Sequence, residues 1–189
     1  MAGLASFAYD VFLSFRGEDT RYGFTGNLYS ALNQRGIQTF FDEKDIRKGE
    51  ELTPALMRAI KESRIAIVVF SKNYAFSTFC LKEVTAILEC YDKEKKKNDC
   101  VVLPVFYKVN PSDVRHGRGS YGEALAKHEV TFKDELDKVN KWRTSLYKAA
   151  NLKGFNFKHG NIKLFAIFPT GVINHYYIYY FEYIDKRGI

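Results

Sequence analysis

Six consecutive apolar residues, Ile65-Ala-Ile-Val-Val-Phe70, lie between two stretches of helical periodicity, with no polar residue alternating through them. A strand that is apolar on both faces needs cover on both faces, as in a parallel sheet enclosed by helices. Two further runs carry the same strand signal, Tyr9–Phe15 and Val101–Tyr107, with a shorter one at 37–41 and a brief fifth at 153–157. Pro104 has no N–H to donate to a ladder, which puts the 101–107 strand at or near a sheet edge.

The intervening segments read as helices. Phe24, Leu28, Ala31, Leu32 and Arg35 recur at helical spacing, and Gly36 supplies the stop. Thr53 and Pro54 open a second helix, with Leu56, Ala59 and Ile60 on its apolar side. A third begins near Ser77 and turns Leu81, Val84, Ile87, Leu88 and Tyr91 inward. Residues 110–119 read as a loop, and 121–150 as helical material around Trp142, Leu146 and Tyr147. Strands alternating with helices of this length imply right-handed crossovers, hence a three-layer α/β fold of flavodoxin-like strand order with a mainly parallel five-stranded sheet. Ligands in such sheets bind beyond the carboxyl ends of the strands. Arg16–Arg21, the charged loop 42–51 and the segment 71–83 are expected to converge there.

Several functions are excluded by what these 189 residues contain. No Gly-x-x-x-x-Gly-Lys-Ser/Thr phosphate loop occurs, and Phe70 and Ser71 stand where a receiver domain would place its phosphoacceptor aspartate. Gly117-Arg-Gly-Ser-Tyr-Gly122 matches a dinucleotide-binding spelling, but it follows the wrong strand and reads as a loop before a helix. His116, His128, His159 and His175 lack metal-ligand spacing, so no metal is expected. Cys80, Cys90 and Cys100 are too few for a disulfide framework and read as reduced thiols. With no signal peptide in the sequence, a cytoplasmic or nuclear location is expected. The formal charge of +7 is concentrated in no long Arg-rich stripe, and Lys93 with Lys95–Lys97 reads as a solvated helix end; nucleic-acid binding is not expected. Leu164–Phe181 carries no charge, but Pro169, Gly171, Asn174, His175 and four tyrosines argue against a membrane span.

Glu83 lies four residues after Phe79 and three after Cys80, on a helix face apart from the Leu81, Val84, Leu88 stripe. Two readings stay open from spacing alone. One is an exposed helix carboxylate. The other is a carboxylate beside an aromatic ring at the ligand rim, an arrangement suited to cleaving a glycosidic bond with a cationic leaving group.

Four stretches, in order, resemble plant TIR (Toll/interleukin-1 receptor/resistance) domains: Tyr9-Asp-Val-Phe-Leu-Ser-Phe-Arg-Gly-Glu-Asp-Thr-Arg21, residues 42–52, 70–83, and Val105-Phe-Tyr-Lys-Val-Asn-Pro-Ser-Asp-Val-Arg115. The likeness covers about residues 8–157, and it implies a chain with a TIR domain at 9–157, an extension at 1–8 and an atypical Tyr-rich tail at 158–189, with no further domain. The family's fold is flavodoxin-like, and many members are NAD nucleosidases that act when self-associated in plant innate immune signalling. Their catalytic box, Ser-x-Trp-Cys-x-x-Glu-Leu, corresponds to Ser77-Thr-Phe-Cys-Leu-Lys-Glu83-Val here. The resemblance thus implies Glu83 as the catalytic residue, with Arg16, Gly17, Glu18, Asp19, Ser77, Phe79 and Cys80 around the substrate and Lys44–Glu51 as a loop that rearranges. NAD would be the substrate, with no cofactor; the implied partners are further copies of the chain, other TIR domains and immune receptor proteins. The alternative it implies is a catalytically weak TIR–TIR adaptor in disease-resistance signalling. The chain departs from the family pattern at Phe79 (usually tryptophan), at Gly26-Asn27 (often Ser-His), at Phe41 (basic in some active relatives) and in lacking a recognisable last helix.

Overall fold

The computed structural model describes residues 7–41, 51–94 and 100–157. Five strands, β1 (Tyr9–Phe15), β2 (Thr39–Phe41), β3 (Ser63–Phe70), β4 (Val101–Tyr107) and β5 (Phe155–Phe157), form one sheet in the order β2-β1-β3-β4-β5. Every neighbouring pair is parallel. This is the flavodoxin-like α/β arrangement expected from the sequence.

The unbroken apolar run in β3 has its explanation in the two sides of the sheet. Ala66, Val68 and Phe70 join a core with Phe12 and Phe106, covered by α3 (Pro54–Lys61), α4 (Thr78–Glu94), α6 (Ser120–Thr131) and α7 (Leu136–Asn151). Ile67 and Val69 face the other way and pack with Val11, Leu13, Leu103 and Val105 against Phe24, Leu28 and Leu32, the last two from α2 (Gly26–Asn33). Alternate residues serve opposite layers, so the run Ile65–Phe70 has no position left for a polar side chain, and the polar residues of β3, Ser63 and Arg64, stand at its start. β4 is the second strand from the edge. Its pairing with β5 begins at Val105, just past Pro104.

One local expectation needs correction, at 110–119, and two other segments gain detail. The segment Arg16–Thr20 is a helical turn, α1 (Gly17–Thr20), which runs through a wide turn at 21–25 into α2. The expected loop at 110–119 contains α5 (Pro111–His116): the Asn110 side chain accepts the Ser112 N–H at 2.9 Å, and Pro111 occupies the first turn, a start signal legible in the sequence. The material at 121–150 is two helices, α6 and α7, divided at Phe132–Glu135.

The Gly-x-Gly-x-x-Gly stretch turns the corner from α5 into α6. Gly117 ends α5 in the left-handed region (φ +57°), and a Cβ on Gly122 would meet the Gly117 carbonyl oxygen at 2.5 Å. These glycines serve helix packing. A Gly117→Ala substitution is expected to lower stability by about 1–2 kcal/mol, read from the shift in a denaturant midpoint.

Candidate active site

β1 alternates its side chains, so Phe12 and Ser14 share the face that α4 covers. Phe12 is packed there as core. Ser14 is equally buried but polar, and it needs partners. Its Oγ donates to Glu83 Oε2 on α4 and lies 2.9 Å from the Tyr74 hydroxyl. The Tyr74 hydroxyl in turn reaches the Cys80 carbonyl at 3.1 Å. Ser77 starts α4 by accepting the Cys80 N–H on its Oγ at 3.2 Å and the Leu81 N–H on its carbonyl at 3.1 Å. The cap fixes where the helix begins, and thus brings Glu83 opposite Ser14.

Glu83 is therefore no exposed helix carboxylate; only 5% of it is accessible. Phe79 and Cys80 are buried with it, so the face that spacing set apart from the Leu81, Val84, Leu88 stripe is buried too. The reason is position: α4 lies between the sheet and α7, with α3 beside it, and little of its circumference is left for water. Phe79 is 8% exposed, its ring packed within the core and not spread as a surface plate.

Burial dominates the electrostatics. It pushes the Cys80 thiol up to about 12, with the neighbouring Glu83 charge adding to the effect and the Ser77 hydrogen bond opposing it. The Tyr74 hydroxyl is raised well above its ordinary range by burial first, then by Cys80 and Glu83. Burial likewise raises Tyr121.

A polar strut ties the end of β1 to the turn after β3. Arg16 donates to the Asn73 carbonyl at 2.8 Å, pairs with Glu18, and brings Nε to 3.6 Å from Asp19. Asp19 accepts three bonds, from the Ser71 hydroxyl (2.5 Å), the Asn73 N–H (3.0 Å) and the Asn73 side-chain amide (3.1 Å). From the far side α6 props the same turn, the Tyr121 hydroxyl donating to the Ser71 carbonyl at 2.9 Å and Ser120 to the Lys72 carbonyl at 2.7 Å. That turn carries Tyr74 to Ser14 and Glu83.

Gly17 has a packing reason. A Cβ there would stand 3.2 Å from the Arg21 guanidinium, which lies over the rings of Phe15 (5.1 Å) and Phe41 (5.4 Å). At the end of the charged loop, Lys82 holds Glu51 at 2.6 Å, and this bond and charge lower the Glu51 carboxyl below its usual range.

The structure thus gathers Glu83, Cys80, Ser77 and the Arg16–Asp19 pair at the carboxyl ends of β1 and β3, while Glu18 keeps its carboxylate largely outside. Sequence reasoning missed Ser14 and Tyr74. The signal for Ser14 was a hydroxyl inside the apolar run Val11–Phe15, two residues from Phe12. Residues 42–50 of the charged loop, Lys95–Lys97, His159, His175 and the Tyr-rich tail lie outside the described residues. Among the described residues no group of three or more His, Cys, Asp or Glu is placed to hold a metal, and no helix is long and apolar enough to cross a membrane.

A parallel sheet of this order, with a buried glutamate facing the end of its first strand, defines a class, and comparison with known proteins identifies it. The family model for the TIR domain matches residues 8–165. The disease resistance protein RUN1 of Vitis rotundifolia is 53% identical over 152 residues, which is 80% of this chain and 11% of RUN1. TMV resistance protein N of Nicotiana glutinosa is 49% identical over 147 residues, 78% of this chain and 12% of N. Among solved structures, the TIR domains of the activated Roq1 resistosome directly recognizing the pathogen effector XopQ superpose with a TM-score of 0.72 at 49% identity, covering 81% of this chain and 90% of that one. The chain belongs to the TIR family. It spans about a tenth of the length of these curated relatives.

With its thiol protonated and enclosed, Cys80 is expected to stay unmodified by iodoacetamide at pH 8 in the folded protein and to react once denaturant is added. Peptide mass mapping reads the difference.

Proposed function

We propose that this TIR domain cleaves the bond between nicotinamide and ribose in NAD, with the Glu83 carboxylate as its catalytic residue, in plant innate immune signalling. One observation carries the reading: a glutamate, buried and held by the Ser14 hydroxyl, at the end of the sheet where ligands of this fold bind. In the reaction the C1′–N bond breaks and nicotinamide leaves with the bonding pair as a neutral base. The ribosyl carbon gains positive charge, which an adjacent carboxylate stabilises while also holding ribose hydroxyls. Water adding at C1′ gives ADP-ribose, with its proton released to solvent; attack by a nucleophile of the same molecule gives a cyclic product.

The other residues take roles that follow from their contacts. Arg16 offers a cation for the diphosphate while bracing the Asn73 turn. Asp19 acts through that turn, Glu18 through Arg16, and Gly17 by admitting Arg21. Ser77, Phe79 and Cys80 set the helix start that presents Glu83. NAD is substrate in this reading, and no cofactor or metal takes part. The relatives named for disease resistance and the TIR domains seen in an activated resistosome support immune signalling and self-association with further TIR domains; cooperation with receptor proteins and a place in the cytoplasm or nucleus belong to the same proposal.

A second reading has its own observation. Phe79 is enclosed in the core and Ser14 already occupies one Glu83 oxygen, as suits a domain that binds other TIR domains without turnover. Nicotinamide release by concentrated or tethered protein separates the two. The enzymatic reading expects turnover by the wild type and a loss of at least about 100-fold in Glu83→Ala. Turnover that survived this change would remove Glu83 from the reaction. No turnover by tethered wild type would leave the adaptor.

A further inference from the structure

At the opposite ends of β3 and β4 from Glu83, a cavity of about 360 Å³ opens between α3, α4 and the sheet. Its walls include Met57, Ile60, Ile87 and Val102, and its volume falls in the range of small-molecule sites. Two thiols line it, Cys90 from α4 and Cys100 from the start of β4, and both are partly exposed. Their ten-residue spacing carried no meaning in the sequence; the fold brings both to one cavity.

The charged groups on the lining are unequal. Lys61 and Arg64 bring positive charge, and the Arg64 guanidinium sits 5.5 Å over the Phe7 ring. Glu89, the opposing carboxylate, is 2.6 Å from Lys141 of α7. Both thiols share the cavity lining with Lys61 and Arg64, the Cys100 sulfur lying 4.0 Å from the Ser63 carbonyl, whereas Cys80 is enclosed; cationic surroundings and partial exposure favour reaction at sulfur. The cavity therefore combines an apolar body, a cationic edge and nucleophilic sulfur.

The geometry points to a covalent capture site for small α,β-unsaturated carbonyl compounds that carry an apolar chain and an acidic group, with Cys90 and Cys100 as the nucleophiles. The sulfur adds to the β-carbon, forming an S–C bond. The π pair of the alkene moves to the α-carbon, which takes up the thiol's proton. Nothing leaves and no oxidant is required. The site stands independently of the NAD reading, since it shares no residue with the Glu83 cluster.

The probe is trans-4-oxo-2-nonenoic acid, compared with its methyl ester, on the full folded chain, followed by intact mass and peptide mapping. Adducts are expected at Cys90 or Cys100 and not at Cys80, at a rate that saturates with probe concentration. The acid should react about ten-fold faster than the ester, a preference that Lys61→Glu abolishes without touching the core. Met57→Trp, which fills the cavity, should remove saturation while the protein still melts cooperatively. If Met57→Trp does not fold, the exposed Lys61→Glu variant carries the test. A rate linear in probe, equal rates for acid and ester, or labelling of Cys80 would each overturn the assignment.

Discussion

One buried hydrogen bond, from the Ser14 hydroxyl to the Glu83 carboxylate, ties the first strand to the very residue of the helix on which the site depends. Removing a carboxylate from water costs several kcal/mol, and hydrogen bonds to its oxygens offset that cost only where the donors are fixed. The rest of the polar architecture around the strand ends does this fixing. Ser77 sets the register of α4, Tyr74 meets Ser14, and Asp19 with Arg16 holds the turn from which Tyr74 projects. Replacing Glu83 and Ser14 with apolar groups of matching shape would relieve the burden of burial. The fold bears a local cost in holding the pair.

The strand framework was legible because its signal is redundant. Ile65–Phe70 is apolar for two independent reasons, one for each layer, and the helices of the first half announce themselves with Gly36 and with Thr53-Pro54. The second half was less legible. The α5 start at Asn110-Pro111 is a proper capping signal, but a six-residue helix offers too little periodicity to stand out among turn-forming residues. The division of α6 from α7 at Phe132–Glu135 carries no proline or glycine to mark it.

The site was half legible. Glu83, Cys80, Ser77 and the Arg16–Asp19 pair were named from motif resemblance, and they converge at the expected sheet end. Periodicity left the exposure of Glu83 open, because a helical wheel reports which residues share a face and says nothing of how many neighbours surround the helix. α4 is covered by the sheet, α3 and α7, so its second face is interior as well. Ser14 and Tyr74 went unnoticed because each pairs across about sixty residues of sequence, beyond any local pattern. Gly17 was named from the motif, but its packing role against Arg21 shows only once the guanidinium is seen across it.

The central claim is that the Glu83 carboxylate meets the ribose of NAD. A structure of the assembled protein with a non-cleavable NAD analogue tests it most directly. The account predicts Glu83 oxygens within hydrogen-bond reach, about 2.6–3.2 Å, of the hydroxyls on the nicotinamide ribose. An analogue bound elsewhere on the domain, with Glu83 still engaged by Ser14 and out of reach of any sugar, would contradict it.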